Sequence, residues 1–322
     1  MTDSSASVSA RPGVALVTGG TGFVGSNLAR RLVRDGFEVH LLCRTNSNFW
    51  RLDDVLPRLH RHVAPLEDAA RVAEIVRSVR PEYVFHLAAS TVVAGTTAGA
   101  DDLVGVNLLG TIHLLDACAA VDCRGLVTTG DSFEYSSTQE RLAEDAACHP
   151  DTLHGISKLA ATLYAQSVAK TQGRPVVTLR LFSTYGPGDH PRRLVPRVIA
   201  GALAGTPLSL SRPEIARDWV YVDDVIELYL EASRKARQHA GGVFNAGSGI
   251  ATSVGAIVES ILTLTGSAVA AQWGVFPAPP HDAFPWIADT RRTCAAFDWR
   301  PQTALDDGLR LAIAAMAARA AP

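Results

Sequence analysis

Eight residues near the start of the chain, Thr18-Gly19-Gly20-Thr21-Gly22-Phe23-Val24-Gly25, constrain the fold more than any other stretch. They follow an apolar run at 14–17 and lead into a helix-period segment at 27–34. Each glycine has its own task in such a unit. Gly19 permits the tight turn, Gly22 lets the backbone approach a pyrophosphate, and Gly25 lets the helix pack closely on the strand. The helix start then offers unpaired N–H groups and the positive end of its dipole to phosphates. A glycine motif without a flanking strand and helix says little; here both are present. Gly19, Thr21, Gly22, Phe23, Val24 and Gly25 are therefore expected to cradle a dinucleotide.

The first half of the chain repeats this rhythm. Short apolar or β-branched runs at 38–42, 83–87, 126–128 and 176–181 alternate with helix-period stretches at 69–79, 102–120 and 156–170. Gly36 suits the position just past the first helix, and Pro81 stops a later helix before its strand. Alternation of this kind implies βαβ units and a parallel sheet covered on both faces. The uninterrupted Ala15-Leu16-Val17 fits burial on both sides. After Pro187 the rhythm loosens, with helices expected at 195–203, 225–236 and 254–264 and strands at 219–222 and 243–245. A Pro-rich loop at 273–285 and a closing helix at 309–321 follow. At 322 residues the chain is long for one core. The expected fold is α/β, a doubly wound parallel sheet of Rossmann-like type with a smaller C-terminal substrate lobe. Residues 1–12 form a disordered tail, 13–187 the dinucleotide-binding domain, and 188–322 mainly the substrate lobe, with the chain free to cross between lobes.

Charge and cysteine content narrow the partners. Lys and Arg number 30 against 32 Asp and Glu, so no basic surplus exists to neutralise a nucleic-acid backbone. Cys43, Cys118, Cys123, Cys148 and Cys294 are odd in number and contain no CxxC pair, which suggests reduced thiols and no metal knuckle. The polar, Ser/Ala-rich start lacks the apolar centre of a signal peptide, and no apolar run is long enough to span a bilayer. These features point to a soluble cytoplasmic protein with no metal, no membrane and no nucleic-acid partner.

The G-x-x-G-x-x-G spacing resembles that of short-chain dehydrogenase/reductases, and the TGGTGFVG form resembles their extended branch, the nucleotide-sugar epimerases and dehydratases. The likeness runs along nearly the whole chain, through His86-Leu87-Ala88-Ala89, Asn107-Leu108-Leu109-Gly110-Thr111, the segment from Arg180 to Gly188, the segment from Arg217 to Asp224, and Phe244-Asn245-Ala246-Gly247-Ser248-Gly249. It implies Ala88 and Leu66 as further cofactor contacts, and a homodimer paired through the helices near 102–120 and 156–170. At the end of the second strand an acid would bind the ribose of NAD, whereas an Arg accommodates the 2′-phosphate of NADP. Arg44 stands there with no acid nearby, so NADP is expected, with NAD as the alternative.

The resemblance also implies a Tyr-x-x-x-Lys pair, in which Lys holds the nicotinamide ribose and Tyr exchanges a proton with the sugar. Here the segment is His154-Gly155-Ile156-Ser157-Lys158. Lys158 matches, and His154 occupies the Tyr position. Histidine exchanges protons near neutral pH, and residues four apart share a helix face. The third family position, a Ser or Thr, falls on Asp131 or on Ser132; an acid there could orient the imidazole. Glu134 and Tyr135 read as structural loop residues. On the sugar-nucleotide side, Arg217 is expected to reach the diphosphate, with Leu194 and Val195 against the base. A second family Arg is missing before Asp282, where Pro279 and Pro280 stand, and Ser183 and Thr184 replace the family Asn. The implied function is an NAD(P)-dependent oxidoreductase of nucleotide-diphospho-sugars, a 4-keto-hexose reductase or an epimerase. A 4,6-dehydratase ranks behind because Thr-Asp-Glu is lacking, and a non-catalytic NADP-binding sensor is the rival from another class.

Overall fold

β1, Val14–Thr18, buries nearly all its side chains, and β2, Glu38–Cys43, buries all but its first. Such strands need cover on both faces, and the computed structural model supplies it. The structure describes residues 13–91, 99–136, 138, 141–276 and 284–320. Between β1 and β2 runs α1, Phe23–Arg34; then come β3 (Leu59–Val63), α2 (Ala69–Val79) and β4 (Tyr83–His86). Next are α3 (Ala100–Leu103), α4 (Gly110–Cys118), β5 (Gly125–Asp131), α5 (Leu153–Gln172), β6 (Val176–Leu181) and β7 (Ser183–Tyr185). The remainder holds α6 (Leu194–Ala204), β8 (Leu208–Ser209), β9 (Ala216–Tyr221), α7 (Val222–Arg234), β10 (Val243–Ala246) and β11 (Ala251–Ser253). It closes with α8 (Val254–Thr265), β12 (Ala271–Gln272), α9 (Arg291–Phe297) and α10 (Leu305–Ala320).

Seven strands form one parallel sheet in the order β10-β6-β5-β4-β1-β2-β3. The expected doubly wound, Rossmann-like sheet is therefore present. Leu16, Leu42, Val84 and Leu126 face α2, α4 and α5, while Val17, Leu41, Phe85 and Val127 face the α1 and α7 side. Strand order reverses between β1 and β4, and a crevice opens outside the carboxyl ends of strands at such a point. After residue 188, α7 packs on β5, and β10 extends the large sheet beside β6. A three-stranded sheet, β11-β9-β7, and the pair β12-β8 carry the rest.

Several elements differ from expectation. The strand expected at 126–128 runs to Asp131, because Thr129, Gly130 and Asp131 keep the parallel ladder with β6. The helix expected at 102–120 is interrupted by a π turn over Val104–Leu109. That turn accommodates Asn107, whose amide nitrogen donates to the Ser90 carbonyl and to Ser157 Oγ, and whose oxygen accepts from Ser90 N. α5 starts at Leu153, three residues early, because Thr152 Oγ1 accepts from Gly155 N at 3.0 Å and caps it. β7, β8, β11, β12 and α9 carried no sequence signal strong enough to place them. The expected 1–12 tail, and residues 277–283 of the expected Pro-rich loop with Pro279, Pro280 and Asp282, lie outside the described residues.

Candidate functional site

A cleft of ≈ 560 Å³ opens at the carboxyl ends of β1, β4 and β5. The glycine loop and Arg44 line one end, and Asp131, His154 and Lys158 the other. A smaller pocket of ≈ 190 Å³ continues from Gly19, Thr21 and Gly22 past Arg44 and Ser47 to Leu66 and Ala88. All the expected cofactor residues therefore line one continuous groove.

The loop end is made of backbone. Gly19 has φ +69°, and a side chain there would run into Leu87 and Ala88. A Cβ on Gly25 would overlap the Gly19 carbonyl. Gly22 starts α1, no described side chain caps the helix, and no acid stands in its first turn. An uncapped N-terminus over a glycine floor fits a diphosphate. Arg51 ties the loop to the segment between β7 and α6 by donating to Thr21 O at 3.2 Å and Gly188 O at 2.6 Å. Behind the loop lies a directed chain of hydrogen bonds. Ala88 N donates to Thr18 Oγ1 (3.2 Å), which pairs with His86 Nδ1 (2.7 Å); His86 Nε2 pairs with Thr111 Oγ1 (2.8 Å), which donates to Asn107 O (2.6 Å). With Thr111 donating onward, His86 carries its proton on Nε2. Full burial drives its pKa down to about 3, with Lys158 adding to the effect, so the ring is neutral.

The other end is made of side chains. His154 lies in the first turn of α5, one turn before Lys158, and its Nε2 is 3.3 Å from Asp131 Oδ2. Its Nδ1 is buried without a hydrogen-bond partner among the described residues. An orphaned N–H is costlier to bury than an orphaned lone pair, so of the two neutral tautomers the one with its proton on Nε2, toward Asp131, fits the site. Burial alone would raise Asp131, but the His154 hydrogen bond and charge, the Phe133 N–H and Lys158 together hold it below the usual carboxylate range. Lys158 is buried and donates to Thr129 O. Burial lowers its pKa from the ordinary value, against the raising effect of Glu134 and Asp131. Ser157 Oγ bonds His154 O and receives Asn107, so the π turn braces this turn of α5.

A buried ion pair supports the arrangement. Glu134 Oε2 accepts from Arg180 Nε at 2.8 Å, and Glu134 Oε1 accepts from Asp131 N (2.9 Å) and Thr162 Oγ1 (3.0 Å). The Arg180 guanidinium lies 4.3 Å over the Tyr135 ring, and Tyr135 OH donates to Asn245 Oδ1 at 2.7 Å. Glu134 and Tyr135 thus brace the loop, as the sequence suggested.

The remaining expected residues fall elsewhere. Ser132 is buried at the start of a 3₁₀ turn, while Asp131 faces His154. Arg217 lies on β9 and donates to the carbonyls of Ala216 and Phe284. Its neighbour Asp218 accepts from Ser248 N and Oγ, Gly249 N and Ala288 N, and so anchors the Gly247–Gly249 turn by charge-assisted bonds. Leu194 and Val195 open α6, with Val195 in the core. None of Ser132, Leu194, Val195 and Arg217 is among the described residues that line the cleft. Sequence reasoning missed Thr129, Asp189 and His190, which line it together with Thr184 and Arg193. Burial pushes Asp189 up to about 6, although Arg193, the His190 N–H and Arg51 oppose the rise.

Comparison with known proteins agrees with this geometry. The chain is 26% identical to the dTDP-glucose 4,6-dehydratase of Haemophilus influenzae, over 92% of this chain and 95% of that one. The UDP-glucose 4-epimerase of Thermotoga maritima, solved with UDP-glucose, superposes with a TM-score of 0.87 at 26% identity, covering 95% of this chain and 99% of that one. The UDP-glucose 4-epimerase of Thermus thermophilus, solved with NAD, gives 0.84 at 27% identity, covering 96% and 100%. With the family model matched over residues 15–247, in addition to the fold and the glycine groove, the chain belongs to the NAD-dependent epimerase/dehydratase family.

Proposed function

We propose that the protein is a nucleotide-diphospho-hexose 4-ketoreductase or epimerase in which a His154–Asp131 pair does the proton work. The observation that carries this reading is the pair itself, set one helical turn before Lys158 in a groove continuous with the glycine loop. The chemistry supplied by the dinucleotide, when bound, is hydride transfer at a sugar carbon. Asp131 faces Nε2 of His154 at 3.3 Å, and the pair takes up the proton of a sugar hydroxyl and, in the reductive direction, returns it, imidazole and carboxylate sharing the charge. Lys158, fixed on Thr129 O, orients the nicotinamide ribose. Arg44 and Ser47 at the adenosine end favour NADP over NAD through contacts suited to a 2′-phosphate. A homodimer is part of the reading, supported by the exposed apolar stripe of Leu109, Ile156 and Leu163. A 4,6-dehydratase is the second reading, favoured by the activity named for the Haemophilus relative.

The test offers the purified protein UDP- and dTDP-hexoses and their 4-keto forms, with either cofactor. Tightly retained cofactor marks an epimerase, freely exchanging cofactor a reductase, and a product lighter by one water a dehydratase. His154→Ala should lower turnover by a factor on the order of 10²–10⁴ while cofactor affinity stays nearly unchanged. Turnover unchanged in His154→Ala would remove that residue from the mechanism.

A further inference from the structure

β2 and β3, at the edge of the large sheet, hold a second cluster of chemistry. Strand register pairs His40 with His60 and Leu42 with His62. Alternation along each strand then puts Glu38, His40, His60 and His62 on one face. Glu38 Oε1 lies 2.9 Å from His40 Nε2 and 4.0 Å from His60 Nε2. One ligand atom from each of these three residues falls within 4.8 Å of the others. The His40 and His60 rings stack at 4.6 Å, and His40 Nδ1 meets His62 Nε2 at 2.9 Å.

We propose that Glu38, His40 and His60 bind a divalent cation of the zinc class, with His62 orienting His40. Two imidazoles and one carboxylate suit Zn²⁺, Ni²⁺ or Cu²⁺ rather than Mg²⁺ or Ca²⁺. Ligand atoms around tetrahedral zinc stand about 3.3 Å apart for bonds near 2.05 Å, and the separations of 2.9 and 4.0 Å bracket that value. The ligands come from two hydrogen-bonded strands, so little ordering is needed on binding. His40 is buried, and its Nδ1 contact with His62 Nε2 fixes the ring with Nε2 toward Glu38. Glu38 and His60 are more than half exposed, giving the ion a way in and leaving its fourth position to water. When His40 Nε2 coordinates, its Nδ1–H donates to His62 Nε2, the outer contact that ligating histidines ordinarily have. No covalent step is involved. The ion would staple the edge strand β3 to β2 and stabilise the fold by mass action.

The experiment uses the full-length protein freed of any polyhistidine tag. Zn²⁺ is titrated against a chromogenic chelator, and thermal melting is followed with Zn²⁺ and, separately, with Mg²⁺. One Zn²⁺ per chain is expected, with Tm raised by Zn²⁺ and not by Mg²⁺. His62→Ala should weaken Zn²⁺ binding by about 10- to 100-fold, and His60→Ala by at least as much. His149→Ala, an exposed histidine elsewhere, should bind like the parent. Circular dichroism without metal confirms that each variant folds. Absence of stoichiometric Zn²⁺ binding, or equal affinity in the parent, His60→Ala and Glu38→Gln, overturns the proposal. Dinucleotide affinity should be the same in all these proteins, so failure here is distinguishable from failure of the catalytic reading.

Discussion

The loop end and the reaction end of the cleft are made of different materials. At the loop end the groove is backbone: glycines such as Gly19 and Gly25 where no Cβ fits, and a helix start that no described side chain caps. At the reaction end it is side chain, with His154, Asp131 and Lys158 held from behind by Glu134 and Arg180. A backbone site is specified by where glycine is obligatory. A side-chain site is specified by its tips and by buried groups behind them that touch no ligand. One substitution can therefore rewrite the second end, as histidine in a tyrosine slot suggests, while the first end is left alone.

The comparison can be broken most severely through the buried pair. Arg180→Met leaves the Glu134 carboxylate, fully buried, without its cation. Breaking such a pair costs about 3–5 kcal/mol, read by chemical denaturation. A loss below about 1 kcal/mol would mean that the reaction end does not depend on its hidden support.

Asp189 also lines the cleft, and its effect depends on pH. Its carboxyl is raised from the ordinary 3.8 to about 6. Between those values the folded protein keeps a proton that the unfolded chain has released. Stability therefore falls as pH rises through that window, and the penalty is complete above it. Asp189→Asn removes the penalty and should raise stability by up to about 3 kcal/mol at pH 7.5, with the gain vanishing near pH 4. Denaturation at both pH values checks this; a gain independent of pH would contradict the assignment.

Gly25→Ala probes the backbone end. The added methyl group meets the Gly19 carbonyl, and overpacking of this kind costs about 1–3 kcal/mol. Cofactor affinity by fluorescence titration should fall with it. Affinity unchanged in this variant would mean that the loop can yield, and the contrast between the two ends would fail.

The smallest effect is expected at Arg44, which is exposed. Arg44→Ala should weaken NADP(H) by about tenfold, or about 1.4 kcal/mol, and leave NAD(H) nearly unchanged. Equal affinity of the parent protein for both cofactors would sink the preference for NADP.

What was legible in the sequence follows the same division. The glycine loop, most of the alternation of strands and helices, and the placing of His154 one turn before Lys158 are local patterns that can be read along the chain. The Glu134–Arg180 pair was not legible, because it joins residues 46 apart through the β5–β6 ladder. The Glu38-x-His40 and His60-x-His62 spacings are visible in the chain, but only strand register brings them face to face. Asp131 and Ser132 could not be separated by counting, since one ends a strand and the other begins a 3₁₀ turn. Arg217, Leu194 and Val195 came from resemblance: Arg217 donates to the Phe284 carbonyl, and Leu194 and Val195 pack on the core.

The π turn at Val104–Leu109 makes length, as distinct from composition, a requirement of this chain. A π turn is an α-helix carrying a surplus residue, and each residue of an α-helix subtends about 100° of rotation. Deleting any one residue from this stretch would let the helix close into a regular spiral. Asn107, or whichever residue took its place, would then swing away from Ser90 and Ser157, and α5 would lose the brace behind His154. A loss of one codon here acts at the reaction end from a distance, even when the deleted residue touches nothing in the groove.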